Sequence, residues 1–284
     1  MMNAENLKYK IKIKSKETNV SPQELMQMYF FERLLYRISI SKYKDNFILK
    51  GGLLLAAIIG DDRRTTQDMD TMLKGIELSK EELLSVISNI INIDSDDGII
   101  FKISKIEDIR LQDIYGGLKV YLEGKKDGLK VNLTIDVTVG DPITPKEITF
   151  KYKSMFDEGY IKIMAFTKET IIAEKFETLL ANTVGNTRAK DFYDLYMLLN
   201  EYYEELNKPN LVTAIKRTLK RRDTFHLLSE VSNLFEIIKS SEKLKDNWLK
   251  YQKRYPFAKN ISYDKVMNSI NLVVELLEKE SVVI

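Results

Sequence analysis

Hydrophobic positions change period several times along the first 165 residues, and each change marks an element. From Leu7 to Lys16, lysines alternate with Tyr9, Ile11 and Ile13. A period of two reads locally as a strand with one wet face. Ser21-Pro22-Gln23-Glu24 then places a capping serine, a proline suited to the first helical position and a glutamate that closes a capping box. A helix is predicted from there to about Ile40, with Leu25, Met28, Leu35 and Ile38 on or near one face. Phe47 to Lys50 is a short strand that stops at Gly51-Gly52, and an apolar helix follows from Leu53 to Ile59. A polar loop, 60–66, leads into an extended segment from Gln67 to Leu73. Ser79 is placed to cap a helix over 80–91. Strands over 117–122 and 129–139 flank a turn-rich stretch, Gly124 to Gly128, and read as a hairpin. From Thr167, itself a candidate cap, the pattern is helical: 168–183, 188–205, 211–222, 227–239, 242–253 and 263–280. The shift near residue 165 predicts a mixed α/β half, 1–165, followed by an all-helical half, 166–284.

Composition narrows the chemistry. The 284 residues include no cysteine and one histidine, His226. Disulfides, thiolate zinc sites and two-histidine metal sites are therefore excluded. No activated serine motif lies near His226, so a Ser-His-Asp triad has no support. Any bound metal must be held by carboxylates, which favours magnesium or manganese. Charge is nearly balanced, with 44 basic against 42 acidic residues. Attraction to a polyanion would thus need local patches. The longest apolar run, Leu53 to Ile59, is far short of the roughly 18 residues of a membrane span. The lysine-bearing N-terminal stretch has no apolar h-region of a secretory signal. The expectation is a cytoplasmic globular protein, monomeric, with no membrane partner.

The densest candidate chemistry is Lys50-Gly51-Gly52 followed by Asp68-Met69-Asp70. Glycines between a strand and a helix allow close backbone approach to a ligand, and a helix start suits a phosphate. Taken alone, they fit a tight turn needing positive φ better than a ligand site. Asp68 and Asp70, two apart in an extended segment, point to one face. Two carboxylates about 4 Å apart repel by about 4 kcal/mol at an effective dielectric near 20, and a divalent cation turns that cost into attraction. Taken alone, they fit solvated aspartates at a strand edge better than a metal site. Asp136 adds weight. In the 129–139 strand, Leu129, Val131, Leu133, Ile135, Val137 and Val139 share one face. Asp136 sits on the other, with Lys130, Asn132, Thr134 and Thr138, and is the only acid of that strand. A third carboxylate on a neighbouring strand is what metal-dependent phosphoryl or nucleotidyl transfer needs, as ligand or as general base.

Three later features are more ambiguous. Lys175, in Ala173-Glu174-Lys175, is a surface lysine or a point charge for a triphosphate. In Arg188-Ala189-Lys190-Asp191-Phe192-Tyr193-Asp194, Arg188, Asp191 and Asp194 share a helix face. That face is a salt-bridge lattice or part of a site, and Tyr193 and Tyr196 either pack in the core or stack on a base. Lys216, Arg217, Lys220, Arg221 and Arg222 form a basic run that is a solvated helix face or an RNA-backbone patch.

The order of these motifs resembles the AbiEii/AbiGii toxin family: K-G-G (Lys50 to Gly52), R-x-T-x-D-x-D (Arg64, Thr66, Asp68, Asp70), a strand aspartate (Asp136), A-E-K (Ala173 to Lys175) and R-x-K-D-x-x-D (Arg188 to Asp194). The resemblance runs from about Ser21 to Leu199. It implies an α+β fold, a polymerase-β-like nucleotidyltransferase domain with mixed sheet followed by helices that complete the active-site cleft. It implies a helix rather than a strand over Leu7 to Lys16. It assigns Lys50, Gly51, Gly52, Arg64, Thr66, Lys175, Arg188 and Lys190 to nucleotide binding. Asp68, Asp70 and Asp136 would hold Mg2+ or Mn2+. Lys175 and one of Asp191 and Asp194 would also be needed for activity. The implied function is that of a type IV toxin in abortive infection, using a nucleoside triphosphate to modify RNA, above all transfer RNA 3′ ends. Translation and growth would arrest, and a cognate antitoxin acting mainly as a transcriptional repressor would oppose it. One position departs: the superfamily motif is usually Gly-Ser, and here it is Gly51-Gly52. Two other readings stay open, a nucleotide-binding sensor without chemistry and transfer to a protein hydroxyl.

Overall fold

The computed structural model describes residues 2–60, 62–109 and 116–281. Asp61, inside the polar loop expected at 60–66, lies outside them. The chain forms two compact units: residues 1–141 with 147–166, and residues 142–146 with 167–284.

The first unit is built on one seven-stranded mixed sheet. In chain order its strands are β1 (Phe47–Lys50), β2 (Met69–Leu73), β3 (Ile100–Asp108), β4 (Leu118–Lys126), β5 (Leu129–Thr138), β6 (Ile148–Lys153) and β7 (Tyr160–Ala165). Their spatial order is β3-β4-β5-β2-β1-β7-β6, with β2–β5 and β1–β7 parallel and every other pair antiparallel. Four helices belong to this unit: α1 (Ala4–Thr18), α2 (Pro22–Ile40), α3 (Gly51–Ile59) and α4 (Lys80–Ile91). Helix α2 carries the capping box read from the sequence and lies against β5 and β7. Helix α3 is apolar around most of its circumference, and Leu53, Leu54, Leu55, Ala56 and Ile59 are all buried.

The local reading of Leu7 to Lys16 as a strand is wrong, and the helix implied by the resemblance is right. Ala4, Leu7 and Ile11 are the buried residues of α1. Their spacing of three and four fixes the helix against α2, and Lys8, Lys10, Lys12 and Lys16 are exposed while Lys14 is half-buried. Strands β3, β6 and β7 were not anticipated. The edge strand β3 is largely exposed, Ile100 at 73%, so it lacks the clean alternation of a half-buried strand.

The second unit is helical: α5 (Lys168–Asn182), α6 (Ala189–Tyr202), α7 (Lys208–Arg221), α8 (Val231–Ser240), α9 (Glu242–Arg254) and α10 (Tyr263–Ser281), linked by short 3-10 turns. Thr167 caps α5 through the amide of Thr170. Helix α5 packs on α7, and α10 on α6 and α8. No helix among the described residues is long and apolar enough to cross a membrane.

Candidate active site

Strand register assembles the candidate site of the first unit. Lys50 of β1 pairs with Asp70 of β2, Asp70 with Asp136 of β5, and Asp136 with Lys119 of β4. Direct cross-strand partners project to one face of a sheet. The result is a lateral row of charges across four strands: cation, anion, anion, cation. Asp68 stands two residues before Asp70 and joins the same face. Carboxylate oxygens of Asp68, Asp70 and Asp136 lie within 4.8 Å of one another.

The electrostatics of the row show strain. Burial, then the neighbouring charge of Asp68, raises the Asp70 carboxyl above its ordinary value. The charge of Lys50 and the Gly52 amide, which donates to Asp70 Oδ2 at 3.2 Å, offset only part of this. Lys119 Nζ lies 2.8 Å from Asp136 Oδ1. Burial pulls the Lys119 ammonium down, but the attraction of Asp136 outweighs it and holds Lys119 above its usual range. Lys50 donates to Asp141 Oδ2 at 2.6 Å, which also accepts from Thr138 Oγ1 at 2.7 Å. Lys119 and Asp141 were not among the residues singled out in the sequence. The strand alternation that exposes Asp136 was the available signal for Lys119, once β4 and β5 are aligned.

The glycine pair has a steric explanation. Gly51 has φ +60°, and a Cβ there would stand 1.9 Å from Asp70 Oδ2. A Cβ on Gly52 would meet Thr66 Oγ1 at 2.4 Å, and Arg64 Nη2 is 3.5 Å away. Gly52 thus leaves its space to the Thr66 side chain. The Thr66 hydroxyl bonds Asp68 Oδ1 at 2.8 Å and so orients that carboxylate. Arg64 and Thr66 are both buried. The motif residues Lys50, Gly51, Gly52, Arg64, Thr66, Asp68, Asp70 and Asp136 are therefore one neighbourhood.

The donor set suits a hard divalent cation. It is all carboxylate, its three members share one face, and burial, then the charge of Asp68, pushes Asp70 up, a repulsion that such an ion relieves.

The second unit holds its own cluster. Lys175 Nζ lies 2.7 Å from Asp191 Oδ1 and 2.7 Å from Asp194 Oδ2. Both aspartates are buried, and Arg188 Nε approaches Asp191 Oδ2 at 2.8 Å. Lys175 bridges both acids, so the structure gives no reason to choose one. Lys190 is exposed. Tyr193 is a core residue, packed on Tyr251 and Phe257. In the basic run, Arg217 donates to Ile143 O at 2.8 Å, and Arg222 bonds Glu177 at 2.5 Å and Thr178 at 3.0 Å. Lys220 lies over the Phe225 ring, Arg221 and Lys216 are half-buried.

Residues 33–269 match the family model described as "Nucleotidyl transferase AbiEii toxin, Type IV TA system". The chain belongs to the AbiEii family. AbiEii proteins are nucleotidyltransferase toxins of type IV toxin–antitoxin systems, which implies a nucleotide substrate and a cognate antitoxin. The fold agrees. JHP933 from Helicobacter pylori superposes with a TM-score of 0.51 at 19% identity, covering 92% of this chain and 96% of that one. A second H. pylori structure, named as a candidate nucleotidyltransferase, matches at TM-score 0.49 and 16% identity, covering 92% and 97%. An antigenic nucleotidyltransferase-like protein from Paracoccidioides brasiliensis matches at TM-score 0.36 and 14% identity, covering 71% and 93%. No curated protein matches the chain.

Proposed function

We propose that this AbiEii protein transfers a nucleotidyl group from a nucleoside triphosphate to RNA, with the 3′ end of transfer RNA as acceptor. The observation that carries the reading is the convergence of Asp68, Asp70 and Asp136 beside a glycine-led helix start. In this reading Asp68, Asp70 and Asp136 hold magnesium or manganese. A bound divalent ion would neutralise the charge that grows on the phosphates as pyrophosphate leaves. Gly51 and Gly52 open a nine-residue helix, and its N-terminal end is the proposed seat of the triphosphate. Arg64 adds positive charge beside Gly52. The RNA 3′ oxygen forms a bond to the α-phosphorus, and the bond from that phosphorus to the pyrophosphate oxygen breaks. Asp136 is the candidate acceptor of the hydroxyl proton. Lys175, Arg188 and Lys190 are proposed as phosphate counter-charges, with Asp191 and Asp194 positioning Lys175. Modified transfer RNA would stop translation, and the protein would work as a monomer in the cytoplasm.

The test is direct. The purified protein is incubated with magnesium, bulk transfer RNA and each α-labelled nucleoside triphosphate, beside an Asp68→Ala control. The expected outcome is label in RNA with one nucleotide, lost in the control and on chelation with EDTA. Label on protein instead would reassign the acceptor to a hydroxyl side chain. Bound nucleotide with no label anywhere would leave a sensor.

A further inference from the structure

The outer face of α1 has no part in the site described above. The helix carries five lysines and two glutamates over fifteen residues. Leu7 and Ile11 point inward. Lys8, Lys12 and Lys16 are spaced by four, so they form one row on the solvent side, and all three are exposed. Among the described residues, none of the three has a carboxylate at ion-pairing distance. Tyr9 and Ile13, also four apart, lie beside that row at 66% and 39% exposure. Like charges at this spacing destabilise a helix. A row that opposes its own helix, next to an uncovered aromatic ring, fits an external polyanion with stackable bases.

The row also has a direction. At its start, the Ala4 amide bonds Asp127 in the β4–β5 turn. At its end, the chain passes through residues 19–21 into α2, whose first turns hold the loop before β2. Glu24 accepts from the Thr65 hydroxyl, and Gln27 donates to Gln67 O and Asn132 O. The lysines thus run along a helix of about 22 Å toward the segment that carries Asp68. Successive members are about 6 Å apart along the axis, a step that lets each meet its own phosphate on one strand. Helix α1 lies outside the residues shared with the family model, 33–269. The basic run of α7 is the weaker candidate, because Arg217 and Arg222 are engaged internally.

We propose that the Lys8–Lys12–Lys16 row, with Tyr9 beside it, is an RNA-docking surface that holds the acceptor's backbone and leads it toward the Asp68 loop. This rests on the reading of RNA as substrate, and binding is measured apart from transfer so that the two can fail separately.

The experiment is equilibrium binding of labelled bulk transfer RNA across a salt series, in EDTA and without nucleotide. It compares full-length Asp68→Ala protein with the same protein carrying Lys8→Gln, Lys12→Gln and Lys16→Gln. Three lost phosphate contacts should reduce the slope of log affinity against log salt by about 2. Tyr9→Ala should weaken binding about tenfold with the slope unchanged. With Asp68 restored, the triple variant should raise KM for RNA and leave kcat at saturating RNA near wild type. If the triple variant fails to fold by thermal melt, Lys12→Gln alone should still reduce the slope by about 0.7. An unchanged slope and affinity would overturn the proposal. So would loss of binding to phosphatidylserine vesicles with transfer RNA binding intact, which would reassign the face to a membrane. A reduced slope in a protein that never labels RNA would keep the docking surface and remove the transfer reading.

Discussion

Asp70 shows what a single residue gives up to be in this site. Its carboxyl is pushed up by burial and by Asp68, so ionisation in the folded chain is opposed. A group raised in the folded state stabilises below its unfolded pKa, and that stability is lost as pH rises through the folded value. In EDTA at neutral pH, Asp70→Asn should therefore raise the melting temperature, and the gain should shrink as pH is lowered. Activity should fall by about 10³-fold or more, on the order of removing a principal electrostatic group. A melting temperature that drops would show that the attractions of Lys50 and the Gly52 amide outweigh the burial of Asp70. Gly52 is the converse case. The usual serine motif suggests that Gly52→Ser should restore a phosphate contact, but its Cβ would meet Thr66 Oγ1 at 2.4 Å. The expected outcome is a displaced Thr66 and transfer reduced about tenfold or more, read as initial rate. Gly51→Ala, with positive φ and Asp70 in the way, should be worse. The glycines were legible as close-approach positions. That Thr66 and Asp70 are what approaches was not, because it depends on strand pairing.

At the scale of elements, α2 is tied to the sheet by a buried ion pair. Arg37 donates to both oxygens of Asp97, at 2.8 and 2.9 Å, and to Ile99 O. Burial alone would raise the Asp97 carboxyl, but the bonds from Arg37 and the Ile99 amide hold it below its usual range. The stability from a lowered carboxyl is present above its unfolded pKa and is lost as pH falls. Arg37→Met should destabilise by about 3–5 kcal/mol in urea unfolding at pH 7, because it strands a buried charge. The deficit should narrow on acidification. In α5 and α6 the same logic separates structure from activity. Lys175→Met leaves Asp191 and Asp194 buried without their shared cation and should cost a similar amount. Adding Asp191→Asn and Asp194→Asn should recover most of that stability. Recovered folding without recovered RNA labelling would place the Lys175–Asp191–Asp194 cluster in the reaction, and recovered labelling would make it a structural tie. Helices with caps were plain in sequence, as Ser21, Ser79 and Thr167 show. The stretch over 7–16 was not, since its period-two lysines imitate a strand until Leu7 and Ile11 find α2.

For the whole molecule, the division into units is not a single cut. Residues 142–146 belong with the helical unit, where Thr144 bonds Thr167 and Thr170 and Arg217 bonds Ile143 and Thr144. Arg217→Ala should cost about 1–3 kcal/mol of stability by thermal melt and leave the salt slope of RNA binding unchanged. A changed slope would return Arg217 to the RNA patch. Sequence by itself determined the helix caps, the absence of thiol and two-histidine chemistry, the motif order from Lys50 to Asp194 and through it the family. These depend on residue type and short spacing, which the chain carries locally. Tertiary structure alone decided that Lys50, Asp70, Asp136 and Lys119 form one row, that Thr66 fills the space at Gly52, and that Lys175 bridges two aspartates. Each joins residues separated by 14 to 66 positions, and only hydrogen-bond register and side-chain packing can select such partners.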